Sequence, residues 1–150
     1  TCRDWSSDVC SSDLLDPATW TVYVAYYDLA GGDLKLATSQ SADSGATWPA
    51  PSISTIDADG FVGPWASLAL TGGDDLTVSY LDDYTYDLKV ARSLDGGSTW
   101  TKVVVDANGV GQYSSIAEGA SGIFVAYYDM VNLDLKVARS VDGGATWVRY

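Results

Sequence analysis

Ser93-Leu94-Asp95-Gly96-Gly97-Ser98-Thr99-Trp100 is one of three renderings of a single phrase in this chain. The others are Ser41-Ala42-Asp43-Ser44-Gly45-Ala46-Thr47-Trp48 and Ser140-Val141-Asp142-Gly143-Gly144-Ala145-Thr146-Trp147. The shared pattern is Ser-x-Asp-x-Gly-x-Thr-Trp. Its copies stand about 50 residues apart, a period at which no unit buries its own core and each must stack on a neighbour.

The flanks repeat as well. Tyr26-Tyr27-Asp28, Tyr80-Leu81-Asp82 and Tyr127-Tyr128-Asp129 are equivalent. So are Asp33-Leu34-Lys35-Leu36-Ala37, Asp87-Leu88-Lys89-Val90-Ala91 and Asp134-Leu135-Lys136-Val137-Ala138. Each unit therefore reads as four short runs, A to D, bounded by turn residues. In the second unit they cover 65–70, 76–81, 88–93 and 100–106; in the third, 113–117, 123–128, 135–140 and 147 onward. Strand B is apolar on both faces, as in Val22-Tyr23-Val24-Ala25-Tyr26-Tyr27. A sheet covered on both sides needs that.

The phrase itself falls in the turn from C to D. Asp43, Asp95 and Asp142 are placed to accept hydrogen bonds from backbone N–H groups of their own turn. Gly45, Gly97 and Gly144 supply positive φ. Thr47, Thr99 and Thr146 restart the strand, and Trp48, Trp100 and Trp147 anchor it with large buried surfaces. With Ser41, Ser93 and Ser140 these positions are read as structural.

On these residues the pattern resembles the Asp-box, or BNR repeat, of sialidase-like β-propellers, over nearly all of residues 15–150. The resemblance implies an all-β fold: a β-propeller fragment of about three four-stranded antiparallel blades with Asp-box C–D turns. Blade 1 is 15–56 without its strand A, blade 2 is 61–106, and blade 3 is 110–150, cut within strand D. Rings of this kind hold four to eight blades, so the end blades are expected to expose faces that favour association.

The first stretch is set aside. Residues 4–14, Asp4-Trp5-Ser6-Ser7-Asp8-Val9-Cys10-Ser11-Ser12-Asp13-Leu14, resemble the translation of a common short-read sequencing adapter. They show no strand alternation and no match to the repeat, so residues 1–14 are expected to have no fold, as with other processing scars. Cys2 and Cys10, the only cysteines, go with them and say nothing about redox compartment.

Composition narrows the function. Asp and Glu total 20 against 8 Lys and Arg, for a net charge of −12. Such a surface repels phosphate backbones, which removes nucleic acid as a partner. All the acids but Glu118 are Asp, a turn residue rather than a helix former. There is no histidine, so Ser-His-Asp chemistry and His-ligated metals are absent from this chain. No apolar run is long enough to span a membrane. No metal or cofactor is expected.

In a four-stranded blade the D–A loops and B–C turns share one face, where propellers usually bind ligands, and the C–D turns lie on the other. A residue that breaks the repeat on the first face is the better functional candidate. Asp83, Tyr84 and Tyr86 do so, as do Phe61, Trp65 and Gln112. Tyr113 opens strand A like Trp65, and Tyr128 ends strand B. Aromatic faces beside carboxylates suit stacking on sugar C–H groups with hydrogen bonds to hydroxyls. Asp28, Asp82 and Asp129 recur in every unit and read first as turn caps; the alternative is a ring of carboxylates for a cation or sugar hydroxyls.

Two other readings fail on the residues. Asp57-Ala58-Asp59-Gly60 and Asp106-Ala107-Asn108-Gly109 begin like calcium loops, but the twelfth position, which needs a bidentate Glu, holds Leu68 and Ala117. The resemblance also implies sialidase catalysis, with an arginine triad, a Tyr nucleophile assisted by Glu, and an Asp acid/base. Arg92 and Arg139 precede the Asp-boxes, at the wrong end of the blade. Glu118 is read into an A–B turn, also the wrong face, and no Phe/Tyr-Arg-Ile-Pro segment is present. Two functions stay open. One is a glycan-directed sialidase-like protein, hydrolase or sugar-binding relative, with no catalytic set in these residues. The other is a non-catalytic scaffold for adhesion or protein interaction. The resemblance implies an extracellular or cell-envelope location.

Overall fold

A computed structural model describes residues 11–71 and 73–150. They form twelve strands in chain order: β1 (Ser11–Asp16), β2 (Thr21–Asp28), β3 (Asp33–Gln40), β4 (Ser52–Asp57), β5 (Ser67–Leu70), β6 (Leu76–Asp82), β7 (Asp87–Ser93), β8 (Thr101–Asp106), β9 (Val110–Gly119), β10 (Gly122–Asp129), β11 (Asp134–Ser140) and β12 (Val148–Arg149). These make three four-stranded antiparallel sheets, β1 to β4, β5 to β8 and β9 to β12, each a simple meander. The second sheet packs between the other two.

Burial follows that sandwich. Every residue of β6 is buried, because both its faces are covered, whereas β2 and β10 alternate buried and half-buried. One core lies between the first and second sheets around Leu34, Leu36, Leu76, Val78 and Tyr80. Its counterpart between the second and third holds Leu88, Val90, Ile123, Val125 and Tyr127. Each fully buried Leu or Val contributes about 1.5–3 kcal/mol, so these two apolar joints dominate the stability.

Two expectations need correction. Residues 11–14, set aside as foldless, are paired strand: Ser11, Ser12, Asp13 and Leu14 lie opposite Tyr26, Ala25, Val24 and Tyr23. The reason is the edge of β2, whose unpaired N–H and C=O groups accept any extended segment that can present its backbone. Ser12 also takes the register of Ser67, and both hydroxyls accept a backbone N–H from the next sheet, from Leu68 at 3.0 Å and Ile116 at 3.1 Å. The first sheet therefore has a strand A. Residues 1–10, with both cysteines, lie outside the described residues. Glu118, read as turn, pairs with Ile123 inside β9, because that hairpin closes tightly between Gly119 and Gly122.

The three Ser-x-Asp-x-Gly-x-Thr-Trp turns share one aspartate-centred set of hydrogen bonds, but Trp48, expected to anchor the first with buried surface, is 42% exposed because the first sheet's outer face has no covering sheet among the described residues. Thr99 N and Thr99 Oγ1 donate to the two oxygens of Asp95, at 2.8 and 2.7 Å, while Ser93 Oγ donates to Asp95 and accepts from Gly97 N. Asp43 and Asp142 make the same set. Trp100 and Trp147 cap the second and third turns by donating Nε1–H to Gly97 O and Gly144 O. Gly45, Gly97 and Gly144 have φ of 88°, 90° and 90°. The preceding residue is left-handed too, and Ser44 adopts at φ 57° what Gly96 and Gly143 do more cheaply.

These hydrogen bonds favour the carboxylate. The Thr99 hydroxyl and amide and the Ser93 hydroxyl hold Asp95 down to about 2 from an ordinary 3.8, and Asp43 likewise sits at about 2. A lowered folded-state pKa adds stability that is complete above pH 3.8 and is lost as pH falls through about 2. The Asp43 and Asp95 carboxyl 13C shifts are therefore expected to titrate near pH 2, and Thr99→Val should return Asp95 toward its ordinary value. Midpoints near 4 in the intact chain would contradict the turn geometry.

Candidate functional site

The D–A loops and B–C turns are laced together by backbone hydrogen bonds. Val62 N donates to Gly32 O, Asp83 N to Phe61 O, Gly109 N to Tyr86 O and Met130 N to Gly109 O, all within 2.8–2.9 Å. Each D–A loop thus bonds to the B–C turn before it and the one after it, and all five segments form one end of the molecule. Two arginines sit at the other end: Arg92 pairs with Asp75 at 3.0 Å and Arg139 donates to Ser121 O.

On the laced end an aromatic row emerges. Trp65 and Tyr113 meet edge to face with ring centroids 5.4 Å apart, and Tyr113 meets Tyr128 at 6.3 Å. Both Trp65 and Tyr113 have positive φ, 52° and 54°. That is uncommon for bulky residues and concentrates strain here. Ser114 holds the row in place, its hydroxyl donating to Trp65 O at 2.8 Å and lying 2.9 Å from Ser79 Oγ. Tyr113 is largely exposed, so the row presents an apolar edge to solvent.

Beside the row is a cavity of about 250 Å3 lined by Tyr27, Leu29, Pro64, Trp65 and Asp83. Partial burial and the neighbouring Asp82 charge raise the Asp83 carboxyl above its ordinary value. Among the described residues no cation pairs with it. The site offers aromatic faces and one hydrogen-bonding carboxyl, in a space suited to a single ring.

The other sequence candidates lie elsewhere. Asp82 is buried, accepts from Tyr84 N and Thr85 N, and pairs with Lys89 at 2.7 Å. Asp129 is buried too, accepting from Val131 N and Asn132 N. Phe61 packs over Gly32 on the preceding B–C turn. Tyr86 has φ 57°, and its carbonyl accepts from both Gly109 N and Val110 N. Tyr84 is exposed and outside the cavity lining, while Gln112 is half-buried opposite Tyr128. Tyr27 escaped the sequence reading because it looks like any strand-B aromatic; only the approach of Trp65 from the next sheet makes it a wall. Among the described residues no group of three or more His, Cys, Asp or Glu is arranged to hold a metal, and no helix is long and apolar enough to cross a membrane.

Asp57 and Asp106, which the sequence presents only as the starts of calcium-like loops, have another role. Asp57 is buried at the end of β4 and accepts from Tyr80 OH at 2.8 Å and Lys102 Nζ at 2.8 Å, both from the second sheet. Asp106, at the end of β8, accepts from Tyr127 OH at 2.8 Å and from Lys136 at 2.6 Å, with Arg149 at 3.2 Å, all from the third. A register shift after Leu34, repeated after Leu88, lets two successive residues point inward, Ile56 with Asp57 and Val105 with Asp106. Burial opposes the charge on Asp57, but Lys102 and Tyr80 outweigh it and hold the carboxyl low.

No protein-family profile matches the chain. It is 33% identical over 105 residues to the Dispase autolysis-inducing protein of Streptomyces mobaraensis, a match covering 60% of this chain and 28% of that protein. Its structure is similar to Hadza microbial sialidase Hz136, with a TM-score of 0.65 at 19% identity, over 95% of this chain and 33% of that one. The chain thus spans about a third or less of each. What the likeness establishes is the architecture: the three sheets form a sialidase-like β-fold.

Proposed function

We propose that the three sheets are blades of an Asp-box β-propeller segment, and that the laced end is a ligand-binding face rather than a hydrolytic centre. The units 15–56, 61–106 and 110–150 are its blades, the first taking its strand A from residues 11–14. The observation that carries the binding reading is the strained aromatic row of Trp65, Tyr113 and Tyr128 beside the Asp83 cavity. Aromatic faces stack on the apolar faces of sugars, and a carboxyl accepts their hydroxyls. A neutral glycan is the ligand class this supports, because among the described residues no arginine lines the Asp83 cavity to meet a sialate carboxylate, and Arg149 is paired with Asp106.

Titration of the intact chain with neutral oligosaccharides, followed by tryptophan fluorescence, tests the reading. Trp65→Ala is expected to weaken binding about tenfold, equivalent to about 1.4 kcal/mol, with Trp147→Phe as a control that leaves affinity unchanged. No turnover of a fluorogenic sialoside is expected from this chain. Equal affinity in Trp65→Ala, or sialoside hydrolysis, overturns the proposal.

A second reading, a protein-interaction scaffold, is favoured by one observation: the name of the Streptomyces relative couples that protein to Dispase autolysis. Incubating this chain with Dispase and following loss of the intact enzyme separates the two. Either ligand class is reached most directly from outside the cell, and we place the protein in the extracellular space or cell envelope.

A further inference from the structure

The two joints between sheets have one chemistry. A strand-B tyrosine and a strand-C lysine of the later sheet, Tyr80 with Lys89 or Tyr127 with Lys136, reach the aspartate that ends strand D of the earlier sheet. Each lysine also pairs with its own strand-B aspartate, Lys89 with Asp82 at 2.7 Å and Lys136 with Asp129 at 3.6 Å. The first sheet carries the same set on its outer face. Tyr26 aligns with Tyr80 and Tyr127, and Lys35 pairs with its own Asp28. Among the described residues no acid from another sheet faces them, and the Tyr26 hydroxyl makes no hydrogen bond. Next to them lies an apolar hollow of about 390 Å3 lined by Val22, Val24, Ala37 and Trp48. Val22 and Val24 align with Leu76 and Val78, which are buried in the first joint.

The third sheet displays the opposite half. Leu34 and Leu88 are 0% exposed, each packed beneath a glycine of the following sheet, Gly63 or Gly111. Their equivalent Leu135 is 70% exposed.

We infer that the outer face of the first sheet is a docking face for a further four-stranded sheet of this repeat, whose strand D ends in an aspartate that accepts from Tyr26 and Lys35. The inference rests on the propeller reading and adds the acid that completes the joint. Charge complementarity and continuity with two formed joints select this occupant. A second copy of this chain is the competing occupant: among the described residues its exposed Leu135 face has Arg149 of β12 beside it rather than a strand-D aspartate.

The test replaces residues 1–10 by a second copy of residues 61–113, so that its Tyr113 joins Ser11 in the β9 register. Thermal unfolding is expected to rise by about 5 °C or more over the intact chain, since added repeats contribute interface stability. Asp106→Asn in the added copy should remove part of that gain. Tyr26→Phe should be silent in the intact chain and destabilising in the chimera. A full gain that survives Asp106→Asn and Tyr26→Phe leaves the docking but overturns the acid. A chimera that gains nothing or does not fold overturns the docking as well. Dimerisation of the intact chain in sedimentation, abolished by Val24→Asp, overturns the occupant in favour of a second copy.

Discussion

Asp57→Ala is expected to lower the free energy of unfolding by about 3 kcal/mol, the range for removing one partner of a buried ionic network. The Asp57 side chain has no solvent exposure, and it is the shared acceptor for Tyr80, Lys102 and, at 3.7 Å, Lys89. Its removal leaves a buried hydroxyl and a largely buried ammonium without that acceptor. Lys89 keeps Asp82, and Lys102 is one-third exposed with Asp59 at 3.0 Å, which places the loss at the low end of the range. Asp57→Asn keeps two acceptor lone pairs but not the charge, and should fall between wild type and alanine. Urea unfolding measures both. A loss under about 1 kcal/mol for alanine would mean that the apolar contacts hold the first joint unaided. The same network sets an alkaline limit. Burial and the Asp57 charge raise the Tyr80 hydroxyl above its ordinary 10.0. A raised folded-state pKa gives stability that is complete below pH 10.0 and is lost as pH climbs toward the folded value.

Gly111→Ala should cost a further and comparable amount, about 3 kcal/mol. Gly111 has φ 101°, and a Cβ there would stand 2.9 Å from Leu88 Cα and 3.1 Å from Leu88 N. Those are backbone atoms of a central strand, so no rotamer change relieves the clash and the second joint must open. Gly119→Ala is the control: nothing lies within 4 Å of its Cβ, and the change should be neutral or slightly stabilising. Stability measured by urea in the three proteins decides the matter. A Gly111→Ala protein as stable as wild type would mean that the sheets slide apart freely at this contact.

The strands and C–D turns were legible because their determinants are local. Asp95 bonds Thr99 and Ser93 within one loop, so the residue spacing alone carries the geometry. Strand bounds moved by only a few residues for the same reason. Residues 11–14 misled because their composition carries no strand signal. Their conformation is imposed by the open edge of β2, a partner that a local reading does not see.

The candidate site was half legible. Trp65 and Asp83 stood out because they break the repeat, and both line the cavity. Phe61 and Tyr86 break it as well, yet one covers a glycine and the other supports a loop through its carbonyl. Asp57 and Asp106 read as turn residues because the register shift that turns them inward leaves no mark on the sequence. Their recurrence together with Tyr80, Lys89, Tyr127 and Lys136 was the available signal.

The sequence by itself determined the repeat, the strand meander and the turn chemistry, since each depends on contacts within one unit. Only the tertiary structure decided which aromatic residues form a row, which aspartates bind sheets together and which faces remain uncovered among the described residues. Those outcomes depend on the side chain that a neighbouring sheet brings to within a few ångströms.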